Sequence, residues 1–106
     1  MAKFKISWSV EAEKDLTEVL NFYIERNGTA TYSKKLYSKI KKSVSLISKN
    51  PNIGLKTDYE SVRALVTGYY QIIYEIIEEM IIISMLWDCR RNPEDKKIGK
   101  RIRKKL

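Results

Sequence analysis

The sequence predicts an α+β fold in the order β-α-α-β-β-β, with a two-helix hairpin packed on a small, mainly antiparallel sheet. Three observations carry that prediction. A short alternating segment opens the chain, two stretches of helical periodicity follow, and three β-branched runs separated by two-residue turns come after them. At 106 residues there is room for one core. A hydrophobic share of 43% and a charged share of 32% suit an ordinary folded domain.

Residues 3–8, KFKISW, place Phe4, Ile6 and Trp8 on one face and lysines on the other, the pattern of a half-buried strand. Ser9 then supplies an N-cap oxygen, and Glu11, Glu13 and Asp15 fall where they complement the helix dipole. Ala12, Leu16, Val19, Leu20 and Tyr23 make an apolar stripe, so 10–26 reads as an amphipathic helix stopped by Asn27-Gly28. Thr29 or Thr31 is the expected cap of a second helix running to about Lys49. Its stripe is Leu36, Ile40, Val44 and Ile47, with Lys34, Lys35, Lys41 and Lys42 mostly outward. Asn50-Pro51-Asn52 ends it, because proline cannot continue the ladder.

Residues 53–60 read as a polar loop. Val62–Val66, Tyr69–Ile77 and Met80–Asp88 read as strands, with Thr67-Gly68 and Glu78-Glu79 as turns tight enough to force an antiparallel meander. On the middle strand Tyr70, Ile72, Tyr74 and Ile76 share the core face. Tyr69, Gln71, Ile73 and Glu75 share a second face expected to be partly exposed. The domain is expected to span 1–95, followed by a basic tail over 96–106. Ile98, Ile102 and Leu106 recur there every four residues, so a helix would carry an apolar seam; the alternative is a frayed terminus.

Charge is unevenly placed. The net charge is +8, and residues 96–106 hold seven of the 21 basic residues and no acid, leaving 14 basic against 13 acidic residues elsewhere. Residues 27–57 carry seven lysines and no acid, whereas residues 11–25 carry five acids and one lysine. Such a distribution favours nucleic acid or an acidic protein as partner. With no histidine, Ser-His-Asp and Cys-His catalysis are excluded, and no metal or organic cofactor is expected. The single Cys89 allows no internal disulfide and suits a reducing cytoplasm. Glu75, Glu78 and Glu79 break the apolar runs, so no membrane span is expected, and the N-terminus has no apolar signal region.

Candidate functional residues are cations and aromatics at strand ends. Arg90 and Arg91 follow the last strand, where a rigid sheet can present them to phosphates or carboxylates. Arg63 lies on the first meander strand, Lys56 in the loop before it, and Tyr69 beside the hairpin glycine, where it can stack on a base.

The element order resembles the RelE/ParE superfamily of bacterial type II toxins. So do the Ala12, Leu16 and Tyr23 spacing, the exit LISKNPNIG at 46–54, the block VRALVTGYYQIIYEI, and MLWDCRRNP. The resemblance covers roughly residues 4–95. It implies a cytoplasmic toxin held inactive by a cognate antitoxin that docks across the open sheet face and the helix grooves. RelE-like members cleave mRNA in the ribosomal A site, and ParE-like members poison DNA gyrase. For the cleaving branch the resemblance gives catalytic roles to Arg63 and to Arg90, with Arg91 as the alternative match at the strand end; Lys56, Arg91 and Tyr69 are the candidate nucleic-acid or target contacts. Two departures stand against cleavage. Gln71 replaces a frequent arginine, and Glu94, Asp95, Lys96 and Lys97 occupy the stretch where a histidine or tyrosine is usual. The sequence therefore resembles the ParE branch or an ambiguous member more than a competent ribonuclease. The alternatives are a ribosome-dependent mRNA endonuclease and a small non-catalytic RNA-binding module using the basic helix and tail.

Overall fold

A computed structural model describes residues 4–102. The elements are β1 (Lys5–Trp8), α1 (Val10–Asn27), α2 (Thr31–Lys49), β2 (Leu55–Lys56), β3 (Val62–Thr67), β4 (Tyr70–Ile77) and β5 (Met80–Asp88). Two 3-10 turns, Pro93–Asp95 and Ile98–Lys100, complete the described chain. The sheet order is β1-β5-β4-β3-β2, with β1 parallel to β5 and every other pair antiparallel. The two-residue β2 lies where the sequence predicts a polar loop. It is too short to show a period, and only its pairing with Ala64 and Arg63 defines it.

The helix boundaries follow local chemistry. Ser9 Oγ accepts from Ala12 N–H at 3.1 Å, and Gly28, at φ 72°, closes α1 by donating its N–H to Ile24 O at 2.9 Å. Neither Thr29 nor Thr31 caps α2. The N-cap is Ala30, with no side-chain bond. Tertiary contact replaces the cap, since Ser33 Oγ donates to Leu20 O at 2.6 Å and ties the first turn of α2 to α1. The β3–β4 turn is Gly68-Tyr69, one residue later than expected. Thr67 stays in the ladder opposite Tyr70, and its hydroxyl bonds Ser43 of α2 at 2.7 Å. Gly68 takes φ 60° in that turn, where a side chain would be strained.

Both helices cover one face of the sheet, over a core in which Ala12, Ile40 and Ile47 meet Ile72, Tyr74 and Ile83. The opposite face is not open as expected. Ile73 and Glu75 are fully buried, and Val62, Ala64, Ile73, Met85 and Trp87 form a second core closed by Ile102. The cause is the chain end. Ile98 and Ile102, four residues apart, fold back across this face through a 3-10 turn in place of the helix considered above. Leu106, the third member of that seam, lies outside the described residues.

A β-bulge makes the return of the chain specific. Ile73 pairs with Met85 but Tyr74 with Ile83, so Ser84 is an extra residue on β5. The Ser84 carbonyl accepts from Arg101 Nη1 at 3.0 Å. The same guanidinium reaches Asp15 of α1 at 2.9 and 3.1 Å and Glu11 at 3.2 Å. Asp15 also accepts the Leu86 N–H at 3.0 Å, so one carboxylate joins α1, β5 and the chain end.

Candidate functional site

β5 ends at Asp88, and the next residues turn sharply. Arg91 N–H donates to Asp88 O at 3.0 Å, and Cys89 N–H donates to Tyr69 O at 2.8 Å. This turn sends the two arginines to opposite faces. Arg90 goes to the helix side. Its Nε and Nη2 each lie 2.9 Å from an Asp88 carboxylate oxygen, and its backbone N–H donates to the same group. Nη2 also donates to Tyr23 Oη at 3.0 Å and Tyr70 Oη at 3.3 Å. The guanidinium carbon sits 4.7 Å from the Tyr69 ring centroid, a cation–π contact. Arg91 goes to the other side and lies 4.7 Å from the centroid of Trp87.

The electrostatics of the Arg90 cluster follow from these bonds. Hydrogen bonding to Arg90 holds the Asp88 carboxyl below its usual range. The same donor lowers the Tyr23 phenol, whereas burial, then the bond to Tyr23, raises that of Tyr70. Asp88 in turn holds Arg90 more firmly protonated. Arg90 is thus a cation fixed by one carboxylate and two phenols, with about half of its side chain still exposed (48%). It can offer an outer edge to a partner, but it is not a free side chain.

Arg63 stands elsewhere. It pairs in register with Tyr74, and its Nη1 donates to Gly54 O at 2.7 Å and Asn52 O at 3.2 Å. Tyr74 Oη donates to Pro51 O at 2.6 Å and accepts the Gly54 N–H at 3.0 Å. Together the two side chains staple the 51–54 loop to the sheet. Tyr74, beside Arg63, and Tyr70, beside Arg90, are four residues apart on β4, about 13 Å of strand. The sequence-predicted pair Arg63 and Arg90 is therefore not brought together.

Lys56 is brought beside Arg63, with which it lines a cleft of about 340 Å³, and to a second group as well. Exposed on β2 opposite Arg63, it also lines a cleft of about 600 Å³ between β2 and the chain end. Lys96, Lys97 and Lys100 line the same cleft, with Gln71 and Tyr59, and Asp58 is the one acid among the described lining residues. Lys96 Nζ donates to Gln71 Oε1. Among the described residues none of these lysines forms an ion pair. Gly99 permits the close approach, because a Cβ there would collide with the Tyr59 phenol. Sequence reasoning saw these lysines only as a charged tail. The Ile98–Ile102 spacing was the one signal that they return to the sheet. No signal announced Tyr23 or Asp15 as partners of distant arginines. Among the described residues no three potential metal ligands come together, and no helix is long and apolar enough to cross a membrane.

A helical hairpin on a five-stranded mixed sheet, with cations at its strand ends, is the architecture that the resemblance to RelE/ParE-type proteins implies. The family model described as the ParE toxin of the type II toxin–antitoxin system, parDE, matches residues 6–93, and the chain belongs to that family. It is a type II toxin, and the family implies an antitoxin partner. Among solved structures it is similar to one described as the chromosomal ParDE TA system from P. aeruginosa. That match has a TM-score of 0.68 and 18% identity, and covers 79% of this chain and 94% of that chain. At that identity the likeness is one of fold. None of the curated proteins matches the sequence.

Proposed function

We propose that this toxin acts in the bacterial cytoplasm as a ParE-like poison of DNA gyrase, neutralised by a cognate antitoxin. The carrying observation is the commitment of the two arginines expected to cleave RNA. Arg63 is spent on the Asn52 and Gly54 carbonyls, Arg90 on Asp88, and about 13 Å of strand lies between their anchor points. Cleaving a phosphodiester through the 2′-hydroxyl needs a base, a charge stabiliser and an acid around one phosphate. Gln71 and the absence of histidine weaken that set further.

The antitoxin has an apolar seat available on the helix side. A groove of about 330 Å³ lies between β1 and the helices, lined by Trp8, Leu16, Tyr37, Ile40 and Val44 together with the charged Glu13 and Lys41. The second sheet face, also considered for docking, is already partly covered by Ile98 and Ile102.

The second reading, a ribosome-dependent mRNA endonuclease, is favoured by one observation. Lys56, Lys96, Lys97 and Lys100 surround a cleft that holds the Tyr59 phenol. Two assays with the same purified protein separate the readings. Gyrase with supercoiled plasmid should accumulate cleaved DNA, while primer extension on mRNA programmed into ribosomes should show no A-site cuts. Discrete cuts lost in Lys96→Gln, with gyrase unaffected, would reverse the assignment.

A further inference from the structure

The function proposed above leaves α2 unexplained. Six of its 19 residues are lysines, all six are exposed, and it contains no acid. Lys35, Lys42 and Lys49 follow one another at seven-residue intervals, so they form a nearly straight row about 21 Å long. Lys35 and Lys39, and Lys39 and Lys42, are neighbours on the same surface, where like charges cost a few tenths of a kcal/mol each. Among the described residues no α2 lysine forms an ion pair, and the two ion-paired acids of α1, Glu11 and Asp15, are taken by Arg101. Relief falls on Lys41, which lies 5.5 Å from the Tyr37 ring centroid and shares a groove with Glu13, while Lys35, Lys39 and Lys42 keep their like-charged neighbours.

The row leads to an aromatic notch. Lys35 and Lys39 line a small cleft of about 190 Å³ together with Tyr32 and Tyr69. These rings are exposed, at 41% and 61%, yet both are held in place. Tyr32 packs on Tyr23 at 4.6 Å between centroids, and Tyr69 lies under Arg90 at 4.7 Å. Tyr23 is itself bonded to Arg90, so one guanidinium orders both sides of the notch. Rings fixed in this way lose little entropy when a planar partner stacks on them.

We infer that the lysine face of α2 and the Tyr32–Tyr69 notch form a track for single-stranded nucleic acid, with phosphates along the lysines and a base in the notch. A cationic path joined to exposed aromatic rings is the physical signature of sequence-tolerant single-strand binding. A duplex would satisfy the lysines and leave the rings unused, since its bases are stacked and paired. An acidic peptide offers carboxylates to the lysines but needs no ordered ring. The track lies on the helix side, away from the Lys56 cleft, and stands whichever enzyme the toxin attacks.

Fluorescence anisotropy with a labelled oligothymidylate of about 12 nucleotides tests the track on the isolated full-length toxin. Binding should weaken with salt, and the triple variant Lys35→Gln, Lys39→Gln, Lys42→Gln should reduce the slope of log K against log salt by about 2. Tyr69→Ala should weaken binding about fivefold or more, while Tyr69→Phe should retain it. Far-UV circular dichroism verifies that each variant is folded. Three results would each overturn the inference: an unchanged slope in the α2 triple, equally tight binding of the matching duplex, or displacement of the oligonucleotide by polyglutamate of equal charge. Loss of the salt slope only in Lys96→Gln, Lys97→Gln, Lys100→Gln would move the site to the opposite face and also overturn it.

Discussion

Replacing Ile102 with alanine tests whether the chain end is part of the folded domain. Ile102 is 4% exposed and closes a core that includes Val62, Ile73, Met85 and Trp87. Truncating a buried isoleucine to alanine costs about 2–5 kcal/mol, depending on how far the site collapses. Here collapse is easy, because the residue sits near the end of the chain on a single turn. The expected loss is therefore about 2 kcal/mol, at the lower end of that range. For a domain of this size it lowers Tm by about 8–16 °C. Urea unfolding followed by circular dichroism reads the loss, and fluorescence reports local exposure because Trp87 lies in the same core. Lys97→Gln, at an exposed position, serves as the control, with an effect within about 0.5 kcal/mol. An Ile102→Ala midpoint as close to wild type as the control, at unchanged m, would refute the packing argument and make 96–102 an appendage.

Gly54→Ala should destabilise by about 1–3 kcal/mol in the same assay, because the new Cβ would lie 2.8 Å from Tyr74 Oη and 3.1 Å from the Ala64 carbonyl carbon. Arg63→Ala should cost about 1–3 kcal/mol and open the 51–54 loop to limited proteolysis, since two carbonyls lose their donor. Wild-type protease resistance in that variant would show that the staple is unimportant. For Asp88, the folded carboxyl lies below its unfolded value. The Arg90 contact therefore contributes fully above about pH 4 and fades as pH falls through the folded value. The stability difference between wild type and Asp88→Asn should narrow on acidification below about pH 4, and a pH-independent difference would contradict that linkage.

The first helix was legible because local rules fixed it, whereas the start of α2 depends on the Ser33 bond to α1. Ser9 caps α1 and Gly28 stops it, both by contacts within four residues. The meander was legible for the same reason, as its turns are tight and its runs β-branched. What the sequence hid depends on contacts between distant positions. The bulge at Ser84 has no composition signal, and β2 exists only through its pairing with β3. The second core needed Ile98 and Ile102 from a stretch that otherwise reads as charge. The candidate site shows the same division. Arg90 and Arg91 were correctly seen near a strand end, but a single residue step in the turn separates their faces. Lys56 was seen as a lone loop lysine, although the returning chain surrounds it with three more. Arg63 looks like a surface cation in sequence and proves to be held by the loop that precedes β2.

Charge placement then explains why a protein with a balanced body presents strongly basic surfaces. Residues 11–25 hold five of the 13 acids, and their ion-paired members bond inward and sideways to Arg101. One tail cation is thus neutralised by α1, while Lys96 is directed to Gln71 and Lys97 and Lys100 stay in the cleft. The acids that could have screened α2 are partly consumed in fixing the chain end. The same Asp15 that fixes the chain end is held by Arg101 and the Leu86 N–H, and among the described residues it pairs with no lysine of α2. Breaking Asp15–Arg101 should loosen the chain end and make an acid available to neighbouring cations. Stability and surface potential in this fold are consequently coupled through one carboxylate, and a variant at Asp15 must be read for both before any change in toxicity is assigned to binding.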